Sequence, residues 1–193
     1  MTQVGDPIQN EGANEVASRH YRRNFALLVA EAASFMCGLA FFDSSTVYPV
    51  LLGSLGASDT LIGFTRLVQV LGYTLPALVA AHYIHGRSHH KRFLLTTCAI
   101  ARIGLFTLPI ALLGAKRSPT FALVWTVAII ALFWLMDGAC AVSWFDIVAK
   151  AIPARIRGRF FGIMQLSAGL GAAGAGVVVA SVLHSPGWPF PAN

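Results

Sequence analysis

Residues 121–148 read FALVWTVAIIALFWLMDGACAVSWFDIV, and this stretch decides the class of fold. Its only charged side chains are Asp137 and Asp146. The hydrocarbon core of a bilayer takes roughly 20 helical residues to cross, and a run this long and this apolar is typical of such a crossing. The stretch therefore predicts a helix that spans a membrane.

Four further apolar stretches of similar length are separated by short polar connections. They lie at about 25–52, 61–84, 93–114 and 160–183. The 193-residue chain is 56% hydrophobic and 11% charged, with a mean hydropathy of +0.67, which is too apolar for a domain that must wet its surface. The stretches also lack the alternation of barrel strands, so an all-α integral membrane protein with five helices is predicted.

Basic residues set the predicted orientation, because cytoplasmic connections carry an excess of lysine and arginine. Three connections on one side are basic, and the opposite connections carry only Lys116 and Arg117. The basic side holds Arg19, Arg22 and Arg23 before the first stretch, Arg87, Lys91 and Arg92 after the second, and Lys150, Arg155, Arg157 and Arg159 after the fourth. The pattern predicts a cytoplasmic N-terminus in the inner membrane of the cell. Since these residues separate the spans, the net charge of +6 indicates lipid contact and no nucleic-acid partner.

The two ends of the chain are predicted to lie outside the transmembrane region, which covers residues 24–184. Residues 1–23 contain three acidic side chains before any apolar run, so we expect a flexible cytoplasmic tail. Residues 185–193 are predicted as a short external tail. The last ten residues contain three prolines and are too short to span, so the chain is expected to stop before a sixth helix.

The fifth apolar stretch repeats the second at a constant offset. Gly63 and Gly72 match Gly162 and Gly171, with leucine, valine and alanine matches between and beyond them. Because these two helices cross in opposite directions, the repeat is inverted, as in many secondary transporters built from three helices against three. The alternative is a chance match, since these residue types are common in any membrane helix.

Three polar segments carry a resemblance to a known family: DSSTVYPVLLGSLGAS at 43–58, GRSHHKR at 86–92 and IPARIRGRFFG at 152–162. Their order, spacing and sidedness resemble the N-terminal part of a major facilitator superfamily transporter. The resemblance implies an incomplete six-helix half of an inverted-repeat bundle, which moves a small solute by alternating access without a cofactor. It also implies a missing C-terminal half as partner, so the fragment alone is expected to be inactive.

Ionisable side chains within a span are costly, at about 2.5 kcal/mol or more each, and mark solute pathways. At about 1.5 Å per residue, Glu31, Arg102 and Asp137 fall at overlapping depths. Arg66 and Gln69 share one face of the second helix. These five residues are the predicted lining of the transport pathway. Asp43 lies near the depth of Arg66, and the two are alternatively a structural ion pair.

Two further groups of residues are predicted to have structural roles. Charged residues near the membrane boundaries are candidates for ion pairs or gating: Asp43, Asp146, Arg87, Lys91, Arg92, Arg157 and Arg159. Small residues that let helices approach closely are candidates for helix packing: Gly63, Gly72, Gly162, Gly171 and Gly176.

The sequence offers little support for functions other than transport. No phosphate-binding loop, nucleophile elbow or paired cysteine motif is present, so an enzyme is not expected. A metal enzyme using the histidines of 82–90 lacks further ligands, and no metal site is predicted. Cys37, Cys98 and Cys140 are expected to fill space in the core. The remaining rival is a membrane scaffold that forms oligomers through the small residues of the fifth helix.

Overall fold

The structure is a computed structural model that describes the backbone of residues 7–84 and 90–183, and the side chains of residues 21–82 and 91–182. Within these ranges the chain is all-helical and contains no strand. The helices are α1 (Pro7–Ala40), α2 (Val47–Ser54), α3 (Asp59–Ile84), α4 (His90–Phe106), α5 (Leu108–Leu113), α6 (Pro119–Ala151) and α7 (Arg157–Leu183), with a 3-10 turn at Ala154–Ile156.

Five helical segments are long and apolar enough to cross a membrane. They are Tyr21–Ala40, Asp59–His82, Lys91–Leu113, Pro119–Ala151 and Ala154–Val182. The predicted class, an all-α protein with five helices of membrane-spanning length, is confirmed. The predicted short external tail at 185–193 lies outside the described residues.

The first predicted span, 25–52, is not one helix. α1 ends at Ala40, and α2 starts at Val47. Between them the Asp43 carbonyl accepts the amide protons of Val47 and Tyr48, at N···O distances of 3.0 and 3.1 Å. These amides are among the first donors of α2, which have no partner within their own helix. Asp43, which lies within the predicted span 25–52, therefore organises the break, and the new helix begins at Val47.

Residues 7–23, predicted as a flexible tail, belong to α1, which begins at Pro7. A proline fits the first turn of a helix because it has no amide proton to satisfy there. The residues that follow include Glu11, Ala13, Glu15 and Ala17, all strong helix formers, and no second proline interrupts them. The acidic side chains of Glu11 and Glu15, on which the prediction of a tail rests, are thus compatible with a helix that precedes a span.

The third predicted span, 93–114, is divided at Thr107 into α4 and α5. Pro109 lacks the amide proton that would continue the ladder of α4, and the Thr107 hydroxyl donates to the Gly104 carbonyl at 2.6 Å. Both effects favour ending one helix and starting another. The two helices together still cover the length of one crossing, Lys91–Leu113.

The described residues fall into two compact units. One contains residues 7–40 and 146–177, and the other contains residues 41–145, apart from 85–89, together with 178–183. In the first unit, α1 runs parallel to α7: Phe25 stacks edge-on against Phe160 at 5.5 Å, and twelve residues later the Cys37 thiol contacts the Gly171 carbonyl at 3.5 Å. Parallel neighbours are expected of two odd-numbered crossings.

In the second unit, α3 runs parallel to α6, and α4 runs antiparallel to it. Gly72 approaches Trp134, and Ala80 packs with Ala139. Residue numbers therefore rise in the same direction along both helices. Cys98 contacts Cys140, whereas Thr107 accepts a hydrogen bond from Trp125. These directions alternate as they would in a chain that crosses a membrane back and forth.

Candidate functional site

A cluster of polar side chains lies inside the second unit, on three of the helical segments that are long enough to cross a membrane. It consists of Tyr73 on α3, Cys98 and Arg102 on α4, and Asp137 and Cys140 on α6; we call it the central cluster. Cys98 and Arg102 are four residues apart and Asp137 and Cys140 three apart, so each pair shares a helix face. The central cluster is therefore built where one face of α4 meets one face of α6.

The two sulfur atoms of the central cluster are in direct contact. The Cys98 Sγ and the Cys140 Sγ lie 2.8 Å apart, and neither residue belongs to a disulfide. Cys140 is buried, whereas Cys98 is partly exposed. The sequence predicts only that these cysteines fill space in the core. It does not predict their contact, because two residues 42 positions apart carry no sequence signal of proximity.

Two opposite charges flank the thiol pair. The Arg102 Nη1 donates to the Cys98 carbonyl at 3.4 Å. The positive charge of Arg102 and the negative charge of Asp137 both act on both thiols, and the charge of Asp137 also acts on the Tyr73 phenol. The structure thus brings together two of the five predicted pathway residues, Arg102 and Asp137, and adds Tyr73 and the cysteine pair to them.

Arg66 and Gln69, the two pathway candidates on α3, bind one another. The Arg66 guanidinium donates to the Gln69 Oε1 at 2.9 Å and also to the hydroxyl of Ser44. Among the residues that the structure describes, Arg66 forms no ion pair with Asp43, which corrects the alternative pairing. The physical reason is that Asp43 is already occupied by its own neighbours in the chain.

Asp43 organises the turn that leads into α2. Its Oδ1 accepts hydrogen bonds from the amide and the hydroxyl of Ser45, at 3.0 and 2.6 Å, and from the amide and the hydroxyl of Thr46, both at 2.8 Å. The Ser45 hydroxyl, followed by the Thr46 hydroxyl and the two amides, lowers the pKa of the Asp43 carboxyl below its ordinary value. Asp43 is therefore held as a carboxylate by local donors, as in an Asx turn.

Glu31 lies in the first unit, on α1, and its side chain is exposed. The other four pathway candidates lie in the second unit. The predicted grouping of Glu31 with Arg102 and Asp137 at one depth stays a prediction.

Charged residues near the C-terminal end of α6 bind groups close to them in the chain. The Lys150 ammonium pairs with the Asp146 carboxylate at 2.7 Å, one helical turn away. Arg157 donates from Nε to the Ile152 carbonyl at 3.1 Å and from Nη2 to the Ala149 carbonyl at 2.5 Å. It thereby satisfies carbonyls that the end of α6 leaves without helical partners. Lys91, Arg92 and Arg159 are exposed, and Arg87 lies outside the described residues.

The glycines predicted to pack helices separate into two kinds. A β-carbon at Gly72 would lie 3.2 Å from the Trp134 side chain, and one at Gly171 would lie 3.2 Å from Cys37. At Gly63, Gly162 and Gly176 a β-carbon would meet no described atom within 4 Å, so the packing role of these three glycines stays a prediction. Periodicity shows which residues share a face, but it does not show which face meets another helix.

Three buried polar side chains are not foreseen from the sequence. The Tyr48 hydroxyl, the Trp134 indole nitrogen and the Ser143 hydroxyl make no hydrogen bond of normal geometry with the described residues. Tyr48 is 1% exposed and packs edge-on against Phe42, with ring centroids 4.6 Å apart. Tyrosine and serine inside an apolar stretch carry no sequence signal of burial, because these residues are equally common at membrane surfaces.

An apolar groove of about 380 Å³ lies apart from the central cluster. It is lined by Phe42, which precedes α2, and by side chains of α2, α5 and the end of α7, such as Leu112 and Val178. Ser54 is the one polar residue of its described lining. A groove of this composition suits a hydrocarbon chain and offers no ligand for a polar solute. The described residues contain no group of three side chains that could hold a metal ion, and His85 and His89 lie outside them.

Compared with known proteins, the chain matches no protein-family model, no curated protein and no solved structure.

Proposed function

We propose that the protein takes part in the transport of a small polar solute across a membrane, as one part of a secondary transporter of the major facilitator type. In this proposal the five spans belong to a six-helix half with an inverted repeat, and a second helical half is the partner that closes the cavity. Transport then proceeds by alternating access. The N-terminus faces the cytoplasm of a cell whose inner membrane holds the protein.

The observation that carries the proposal is the central cluster. It places a guanidinium, a carboxylate, a phenol and two thiols on three helices of membrane-spanning length. Charged groups at such depth are costly and are typical of substrate and ion pathways. Arg102 offers the forked donors that suit an acidic group on a solute, and Asp137 is a group that can carry a proton or pair with a cation.

The experiment is an uptake assay in the organism that carries the gene. Deletion of the gene is expected to abolish uptake of at least one labelled solute in a panel of organic acids, amino acids and sugars. Restoration at the native locus with Arg102→Ala is expected to leave uptake about tenfold or more below that of the wild type, because hydrogen bonds to a charged group contribute about 1.5–3 kcal/mol. Arg102→Lys keeps the charge and is expected to retain part of the activity.

The matched control is Arg117→Ala, which removes an exposed arginine between α5 and α6. It is expected to leave uptake unchanged, and immunoblots of the membrane fraction establish equal insertion of all variants. Unchanged uptake of every solute after deletion of the gene would refute the proposal.

The competing function is a membrane scaffold that forms oligomers through α7. A β-carbon added at Gly169, Gly174 or Gly176 would meet no described atom within 4 Å. A surface that makes close contact with another helix requires such uncovered small residues. The two functions differ in their requirements: a scaffold predicts a stable oligomer in mild detergent that Gly176→Leu disrupts, and normal solute uptake after deletion of the gene.

A further inference from the structure

We propose that Cys98 and Cys140 form a reversible oxidation site, in which an intramolecular disulfide joins α4 to α6 when the protein meets hydrogen peroxide. The site is independent of the proposed transport function, since it depends only on two thiols and their surroundings. The co-reactant, hydrogen peroxide, is small and uncharged.

The geometry of the thiol pair is the first support. The two sulfur atoms lie 2.8 Å apart, whereas the sulfur atoms of a disulfide lie about 2.05 Å apart. Closing the bond therefore requires an approach of about 0.75 Å, from 2.8 Å to about 2.05 Å. Rotation of the two cysteine side chains moves the sulfur atoms over distances of this size.

The unequal surroundings of the two thiols are the second support. Cys98 is partly exposed and Arg102 donates to its carbonyl, so the guanidinium lies next to the residue. A neighbouring guanidinium stabilises a thiolate, the form of cysteine that reacts with peroxide. Cys140 is buried and lies one helical turn from the carboxylate of Asp137, so an oxidant reaches it less readily than it reaches Cys98. Cys98 is thus placed to react first and Cys140 to react second.

The reaction balances with peroxide as the oxidant. The Cys98 thiolate attacks one peroxide oxygen, the O–O bond breaks, and the departing hydroxide takes a proton to become water, which leaves a sulfenic acid on Cys98. The Cys140 sulfur then attacks the Cys98 sulfur, the S–O bond breaks, and the leaving hydroxide departs as water with the Cys140 proton. Two thiols lose two electrons in total, and one peroxide is reduced to two molecules of water.

The consequence for the fold is a covalent link between two crossings that run antiparallel in the second unit. The disulfide closes a loop that contains the connection between α5 and α6 and restricts the unfolded chain, which raises thermal stability. Reduction by a thiol such as dithiothreitol restores the free pair, because exchange with an external thiol reverses the bond.

The test uses the purified full chain in detergent, treated with hydrogen peroxide and then with catalase. The protein is unfolded in sodium dodecyl sulfate, reacted with N-ethylmaleimide, and analysed by intact mass and peptide mapping. We expect a mass loss of about 2 Da before alkylation, corresponding to two hydrogen atoms. We also expect one cross-linked peptide that contains Cys98 and Cys140, and a higher apparent melting temperature that dithiothreitol reverses.

Single-cysteine variants provide matched controls. Cys37→Ser removes the thiol in the first unit and is expected to leave the mass loss unchanged. Cys98→Ser and Cys140→Ser are each expected to abolish it, and dimedone is expected to trap a sulfenic acid on Cys98 in the Cys140→Ser protein.

Two results would overturn the proposal. One is peroxide-treated wild-type protein in which both Cys98 and Cys140 still react with N-ethylmaleimide. The other is a disulfide that uses Cys37 or joins two chains in place of the Cys98–Cys140 link. Because both results are measured on the wild-type protein, they decide the proposal even where a variant fails to fold.

Discussion

Gly138 on α6 lies directly against the backbone of Tyr73 on α3. A β-carbon at Gly138 would collide with the Tyr73 carbonyl oxygen and would lie 2.7 Å from its carbonyl carbon, closer than real β-carbons come. The obstacle is main chain, which cannot rotate away as a side chain would. Gly138 therefore sets the distance between the two helices that contribute Tyr73, Asp137 and Cys140 to the central cluster.

The first prediction follows from this contact. Gly138→Ala should force α3 and α6 apart and lower the free energy of unfolding by about 1–3 kcal/mol, the usual cost of overpacking. Thermal unfolding in detergent, followed by tryptophan fluorescence, measures the loss. The control is Gly63→Ala on α3, where a β-carbon meets no described atom within 4 Å. Equal melting temperatures for the two variants would contradict the close approach.

The second prediction concerns the pH dependence of Asp43. Because the folded state holds the pKa of Asp43 below its ordinary value, the carboxylate stabilises the fold fully above the pKa that it has in the unfolded chain. This contribution is lost as the pH falls through the lower, folded-state pKa. Asp43→Asn, which keeps the size of the side chain, should therefore be less stable than the wild type at pH 7 by about 1 kcal/mol, a typical net contribution of a hydrogen bond.

The measurement for Asp43 is a series of melting temperatures of both proteins from neutral pH into the acid range. The difference between wild type and Asp43→Asn should persist through pH 5 and close only in strong acid, below about pH 3.9. A difference that stays constant to the lowest pH would show that the negative charge has no part in the turn.

The third prediction concerns Arg157 as a cap for α6. Its two hydrogen bonds to the carbonyls of Ala149 and Ile152 should make Arg157→Ala less stable than the wild type by about 0.5–1 kcal/mol. Arg159→Ala removes an exposed charge two residues away and should change stability by less than about 0.5 kcal/mol. Melting temperatures of the two variants decide the matter, and a larger loss for Arg159→Ala would argue against the cap.

The sequence predicts the five crossings because length and apolar composition are local properties of each stretch. It does not predict the break after Ala40, since Phe41 and Phe42 continue the apolar run and the interruption is created by hydrogen bonds to Asp43. The division at Thr107 has a visible signal in Pro109, which lacks the amide proton that would continue the helical ladder.

The sequence predicts the depth of the candidate site residues along their helices, but it does not predict which side chains they contact. Distances along a helix place Arg102 and Asp137 at similar levels, and the structure brings them to the same pair of thiols. The rotation of each helix about its own axis decides which side chains meet, and this rotation results from packing contacts such as that of Gly138 with Tyr73. For that reason the proximity of Cys98 to Cys140 could not be read from the sequence.

The central claim is that the chain crosses a membrane repeatedly, with the central cluster inside the bilayer. Its most direct test is labelling of single cysteines, introduced by Ala57→Cys, Arg117→Cys or Arg155→Cys into a protein whose three native cysteines are replaced by serine. Leu55 packs with Ala115 and Ala122, so the first two positions lie at the same end of their unit.

An impermeant maleimide applied to intact cells should label Ala57→Cys and Arg117→Cys, and should label Arg155→Cys only after the membrane is permeabilised. Labelling of Arg155→Cys and Arg117→Cys together on intact cells, or labelling of Ala57→Cys and Arg117→Cys from opposite sides, would contradict the claim.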